Sequence, residues 1–119
     1  MPAPNWPRLR DQLWERSQGR CEVSGLALDR DTFDVHHRLN KGMGGTTRPW
    51  RDALTNLLAL DPLIHNGGPM SVHANRPRSE QRGYLLPKLL MWPPAFMPVY
   101  LHGVRWVFLT DVGDYRTVS

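Results

Sequence analysis

The stretch whose reading decides the fold is DVHHRLNKGMGG (residues 34–45). A short apolar alternation ends in two adjacent histidines, and a glycine-rich loop bearing Lys41 follows directly. Successive side chains of a strand point to opposite faces, so His36 and His37 cannot both serve the same side of a sheet. Just upstream, residues 21–39 read as a hairpin of two short strands, with Gly25 and the polar run 29–32 supplying turn residues. The glycine- and threonine-rich residues 40–49 read as a loop.

Working outward, PRLRDQLWERSQG (residues 7–19) predicts a first helix: Pro7 suits the first turn, Leu9, Leu13 and Trp14 form an apolar stripe, and Gly19 ends it. RDALTNLLAL (residues 51–60) is ambiguous by periodicity; it is read as a helical turn ending near Asn56, then an apolar strand or turn from Leu57 to Leu60. A helix is expected to begin at Asp61-Pro62, break at NGGP (residues 66–69), and resume at Met70. A further short helix starts at Pro77 and closes at Gly83. The tail carries two apolar runs around His102-Gly103, a hairpin pattern with Val99 to Leu101 and Arg105 to Leu109 as strands. Trp14 and Trp106 are expected in the core, and the five tryptophans are not spaced as a stacking platform.

The 119 residues correspond to one domain, and the 40% hydrophobic and 22% charged content is that of a globular chain. No apolar run is long enough for a membrane span, and MPAPNWPRLR lacks the apolar core of a secretory signal, so a cytoplasmic location is expected. A formal charge of +4 permits a polyanionic partner without requiring one. The single cysteine, Cys21, has no partner for an internal disulfide and is read as a buried, inert thiol.

Of five histidines, four (His36, His37, His65 and His73) cluster in the middle of the chain. Imidazole is the commonest protein metal ligand and the side chain best suited to proton transfer near neutrality. Any one of these histidines by itself reads as an ordinary half-buried residue. Together with Asn56 they favour a site in which one ring of the doublet faces a metal and the other a substrate.

At these residues the sequence resembles the HNH nucleases with a ββα-metal active site, in particular the small enzymes of phages and actinobacteria. The resemblance rests on GRCEVSG, DVHHRLNKGMGG, LTNLLALDPLIH and SVHANRPRSEQRGYLL, and on the closing segment MPVYLHGVRWVFLTD. It implies an α+β fold: a ββα-metal core over about residues 20–84, an N-terminal helix, and a C-terminal hairpin over about residues 96–112, all in a single domain (1–119). It implies a metal-dependent DNA endonuclease or nickase, holding one divalent ion (Mg, Mn, Ni or Zn), with phage DNA processing or packaging as the setting that the resemblance suggests. The host cytoplasm would then be its setting, and a homodimer or a packaging complex its assembly. By position, the resemblance makes His36 a metal ligand, His37 the general base, Asn56 the brace of the intervening loop, and His65 a second ligand. The position one helical turn after His65 is Pro69, which cannot bind metal, so His73 is assigned the third ligand role; in an alternative alignment His73 is the main helix ligand and His65 lies at the rim.

Many HNH proteins also carry two C-x-x-C pairs that hold a structural zinc. Here the corresponding positions read Cys21 to Ser24 and Asp61 to Ile64, so no structural zinc is expected, and Ile64 and the tail hairpin supply packing instead. The other reading leaves a zinc on Cys21, Asp61 and a histidine. Arg38, Lys41 and Arg48 around the loop, and Arg76, Arg78 and Arg82 around the last helix, are candidate phosphate contacts as a group, though each alone reads as a solvated charge. Two competing functions remain open on the sequence: a nucleic-acid-binding domain of this fold with little or no turnover, and a small regulatory metal-binding protein.

Overall fold

A computed structural model describes residues 3–39, 50–87 and 92–118. Along the chain come helix α1 (Trp6–Ser17), strand β1 (Asp34–His37), a 3-10 turn (Leu54–Asn56), strand β2 (Leu57–Leu60), helices α2 (Pro62–Asn66) and α3 (Arg76–Gln81), and strands β3 (Val99–Leu101), β4 (Arg105–Leu109) and β5 (Tyr115–Thr117). The architecture is α+β, with one antiparallel two-stranded sheet, β1–β2, and one antiparallel three-stranded sheet, β3–β4–β5. None of the helices among the described residues is long and apolar enough to cross a membrane.

β2 is the organising strand because every one of its residues is apolar and fully buried. Its alternation feeds two separate cores. Leu57 and Ala59 join Leu13 of α1, Phe33 and Leu54 on one side. Leu58 and Leu60 join Cys21, Val72, Tyr84, Leu85, Val99 and Leu109 on the other, with Ile64 packed against them. Burying a leucine completely contributes about 1.5–3 kcal/mol, so these four positions alone favour placing β2 between α1 and the tail sheet.

The strand pairing differs from the hairpin expected over residues 21–39. β1 pairs with β2, across residues 38–56, and residues 20–33 form turns joined by one isolated bridge, Arg20 to Ala27. The Asp29 side chain accepts from the Asp31 amide at 2.8 Å and its carbonyl accepts from the Phe33 amide, which closes the turn expected at residues 29–32, but no paired strand precedes it. Wholly apolar β2 is the better partner for β1, because its backbone has no water to bond.

Two further departures follow from local chemistry. No helix resumes at Met70: Gly67 ends α2, Pro69 has no amide to donate, and the chain turns back instead, the Val72 amide donating to Ile64 O at 2.7 Å. The tail forms three strands because a turn at Gly113 (φ +84°) returns β5 along β4. Trp14 is only half-buried, and Trp106 is 39% exposed on the outer face of the tail sheet instead of in the core.

Charges are also buried, and each is saturated. Arg16 and Glu22, both fully buried, make a two-pronged ion pair at 2.9 and 2.8 Å, and Arg16 also donates to Leu54 O and Leu57 O. Glu22 accepts in addition from the Ala59 amide and the Tyr115 hydroxyl. This knot ties α1, the turn at Glu22, β2 and β5 together.

Candidate metal centre

The β1–β2 register explains why the doublet splits. His36 stands opposite Leu58 and His37 opposite Leu57. Directly opposed residues share a face, so His36 turns toward the core of Tyr84 and Val72, and His37 turns toward the α1 side. There the His37 ring meets Trp6 edge-on at 5.8 Å between centroids.

On the His36 face three imidazoles converge. One nitrogen from each of His36, His65 and His73 lies within 4.8 Å of the others. Ring centroids are 5.1 Å apart for His36–His65 and His36–His73, and 4.8 Å for His65–His73. His65 sits in the last turn of α2. His73 arrives by the return of the chain after Gly67, its amide donating to His65 O at 3.2 Å. The two assignments weighed for the helix ligand thus describe neighbours: both histidines stand in the cluster.

Hydrogen bonds on the far side of the rings fix which nitrogens face inward. His36 Nε2 lies 2.6 Å from the Tyr84 carbonyl, which can only accept, so Nε2 carries the proton and Nδ1 keeps its lone pair. His65 Nδ1 donates to Asp34 Oδ2 at 2.9 Å, which leaves Nε2 as the bare nitrogen. His65 Nε2 and His73 Nε2 approach to 3.1 Å. Two nitrogens bound to one ion at about 2.0–2.1 Å, at angles between square and tetrahedral, stand roughly 2.8–3.4 Å apart. The His65–His73 pair fits a metal ion on this count, and the outer carbonyl and carboxylate partners of His36 and His65 are the kind that orient metal-ligating histidines.

Electrostatics point the same way. Burial pushes the His36 imidazole down to about 3, the Tyr84 carbonyl opposes this, and the neighbouring His65, His73 and His37 rings lower it further. Burial, with the charges of His65 and Arg76, also lowers His73. Rings that stay neutral near neutrality keep the lone pairs a metal requires. Exposure rises from His36, which is buried, through half-buried His65 to exposed His73, so the cluster opens to solvent on one side.

The opposite face holds a different pair. His37 Nε2 donates to Asp52 Oδ1 at 2.8 Å, the two side chains being 8% and 19% exposed. Burial raises the Asp52 carboxyl, but the hydrogen bonds from His37 and Arg51 outweigh it and hold it below the usual range. With Nε2 protonated, the basic nitrogen of His37 is Nδ1. Asn56, fully buried, accepts from the Leu39 amide at 2.9 Å and donates to Arg51 O at 2.8 Å, while its carbonyl accepts from Arg38 N. It joins the two ends of the segment 40–49 and steadies the residue beside Asp52.

Arg38 is not at the surface. It is fully buried and donates to the carbonyls of Gly83, Thr55, Pro94, Met97 and Pro98 at 2.7–3.4 Å. Burial, with the repulsion of Arg16, brings it down to about 9, still charged at neutrality, but no donor is left for a phosphate. The expectation that it contacts phosphate is corrected on this ground. Arg76 is exposed and ion-paired with Glu80 at 2.7 Å, and Arg78 donates to Met70 O at 3.1 Å. Lys41 and Arg48 lie outside the described residues. Cys21 is buried in the apolar cluster with Ile64, Val99 and Leu109, and Asp61 caps α2 through the Leu63 amide.

Sequence reasoning missed Asp34, Asp52 and the Tyr84 carbonyl. Asp34 was within reach, since it lies two residues before His36 and therefore on the same strand face. Asp52 and Tyr84 join the site only through tertiary contacts. Comparison of the chain with protein-family models, with curated proteins and with solved structures finds no match.

Proposed function

We propose that this chain is a metal-dependent phosphodiester hydrolase that cuts or nicks DNA, using a ββα-metal arrangement of β1, β2 and α2 like that of the HNH nucleases its motif resembles. One observation carries the reading. A single strand presents a ring of a three-imidazole cluster on one face and a carboxylate-held histidine on the other. His36, His65 and His73 would hold one divalent ion. An all-nitrogen donor set favours zinc, nickel or a similar transition metal over magnesium, which prefers oxygen. Three protein ligands leave coordination positions open, as catalytic sites need.

Bound there, the ion would supply charge neutralisation for phosphate oxygens. The protein's own groups do the rest. His37 Nδ1 takes a proton from the attacking water, and Asp52 holds the ring by Nε2–H and stabilises the imidazolium that results. To offer Nε2 to the ion, His73 would carry its proton on Nδ1. Arg76, exposed beside His73, is placed to meet a phosphate near the open side of the cluster.

The test is plasmid nicking. Supercoiled DNA is incubated with the chain and Zn²⁺, Ni²⁺, Mn²⁺ or Mg²⁺, beside His37→Ala. Nicking is expected with at least one ion, reduced roughly 10²- to 10⁴-fold in the variant. Metal-dependent cutting that His37→Ala preserves would remove His37 as the base, and no cutting with any ion while DNA is still retained in a gel shift would replace the enzyme by a binding domain.

A further inference from the structure

The tail sheet spends one face on the core and turns the other to solvent. Val99, Leu101, Val107 and Leu109 are buried, so the alternating residues Tyr100, Trp106 and Phe108 belong to the outer face. The register sets Tyr100 opposite Trp106 and Phe108 opposite Arg116. The Tyr100 and Trp106 rings lie 5.2 Å apart between centroids. The Arg82 guanidinium stands 5.6 Å from the Tyr100 ring centre, and that of Arg116 stands 4.6 Å from Phe108. Trp106 and Phe108 are two residues apart on one strand, about 7 Å.

This face is costly to leave uncovered if it serves the fold alone. Trp106 is 39% exposed in the middle of a sheet, where a smaller β-branched residue would satisfy the strand. The chemistry of the face also singles out its occupant. Of the strand arginines, Arg116 lies on this face while Arg105 shares the inner face with Val107 and Leu109, and no residue of β3, β4 or β5 is acidic. Aromatic rings flanked by guanidinium groups, with no carboxylate among the strand residues, complement a chain of flat bases joined by phosphates. Bases stack on the rings and phosphates meet the arginines. A duplex hides the faces of its bases inside the stack, so the match is to an unpaired strand.

We infer that the outer face of β3–β4–β5 binds single-stranded nucleic acid, with Tyr100, Trp106 and Phe108 stacking on bases and Arg82 and Arg116 meeting phosphates. The inference uses none of the histidines, so it stands or falls separately from metal-dependent cleavage.

The experiment is fluorescence anisotropy on the full chain in EDTA, with labelled oligothymidine, an abasic strand of the same length and charge, and a duplex of that length. Oligothymidine is expected to bind on the order of ten-fold more tightly than the abasic strand, the effect of stacking one base. Trp106→Ala should erase that preference and Trp106→Phe should keep most of it, while Arg116→Glu should weaken both strands. Equal binding of the two single strands by the native chain overturns the inference without relying on any variant. A preference untouched by Trp106→Ala, or tighter binding of the duplex than of oligothymidine, overturns it as well. So does a dimer that Trp106→Ala dissociates in the absence of any strand preference, which would assign the face to a second copy of the chain.

Discussion

Two polar centres lie within the same small protein and are finished in opposite ways. Around Arg38 and the Arg16–Glu22 pair, donors are met by buried carbonyls and carboxylate oxygens, and nothing points outward. Around His36, His65 and His73 only the far side is finished. A carbonyl and a carboxylate fix the outer nitrogens of His36 and His65, while the inner nitrogens of the cluster are turned on one another. A network completed by the protein holds the fold together. A network whose imidazole nitrogens converge on one another could hold an ion. Residue type alone would have placed Arg38 with the open centre, since an arginine beside a histidine doublet is the expected phosphate contact.

The sharpest way to break that comparison is to remove a member of the closed centre. Glu22→Ala or Arg38→Ala leaves buried charge or buried carbonyls without partners and is expected to destabilise the fold by about 3–5 kcal/mol. That is a large share of a typical stability of about 5–15 kcal/mol, and urea unfolding reads it directly. An unchanged midpoint for Arg38→Ala would return that residue to the list of phosphate contacts. His65→Ala should behave in the opposite manner. The partly exposed His65–Asp34 bond contributes about 0–1 kcal/mol, so the metal-free fold should survive. Stabilisation by metal, about 2.7 kcal/mol at a hundred-fold excess over the dissociation constant, should be lost from thermal melts.

Acid gives a gentler probe of the open centre. Because His36 is held down to about 3 in the fold, the unfolded chain binds its proton first as pH falls below about 6.5. The metal-free protein should therefore keep its full stability above that pH and lose roughly 1 kcal/mol per unit between there and about 3. Urea unfolding across pH measures this loss, and in the folded protein His36 keeps the lone pair that an ion would need down to about pH 3. A flat profile would mean that His36 is not the buried neutral ring described. The smallest effect is expected at the rim. Arg76→Ala should weaken DNA binding evenly across sequences and reduce the salt slope by about 1, with no change in metal affinity.

Much of the local structure was legible. Pro7 and Gly19 bracket α1, the alternation at Val99–Leu101 and Arg105–Leu109 marks β3 and β4, and Leu57–Leu60, read as an apolar strand or turn, is the strand β2. These signals are carried by neighbours in the chain. The partner of β1 was not legible, because two candidate strands competed and the choice turned on burial of the whole of β2. Arg38 was misread for a related reason: its fate depends on carbonyls of residues 55, 83, 94, 97 and 98, which the chain brings together only on folding. The third strand of the tail sheet and the exposure of Trp106 were likewise set by how the tail closes on the core.

For the site itself, the sequence alone determined that two adjacent histidines on a strand must face apart, and it singled out Asn56, His65 and His73 as their companions. Strand geometry requires the first, and residue chemistry and spacing support the second. Which histidine joins the cluster, which nitrogens it offers, and that Asp52 holds the other were decided only in three dimensions. Those facts depend on the cross-strand register of β1 with β2 and on the return of the chain after Gly67. Contacts between distant residues carry no periodicity for a sequence to display.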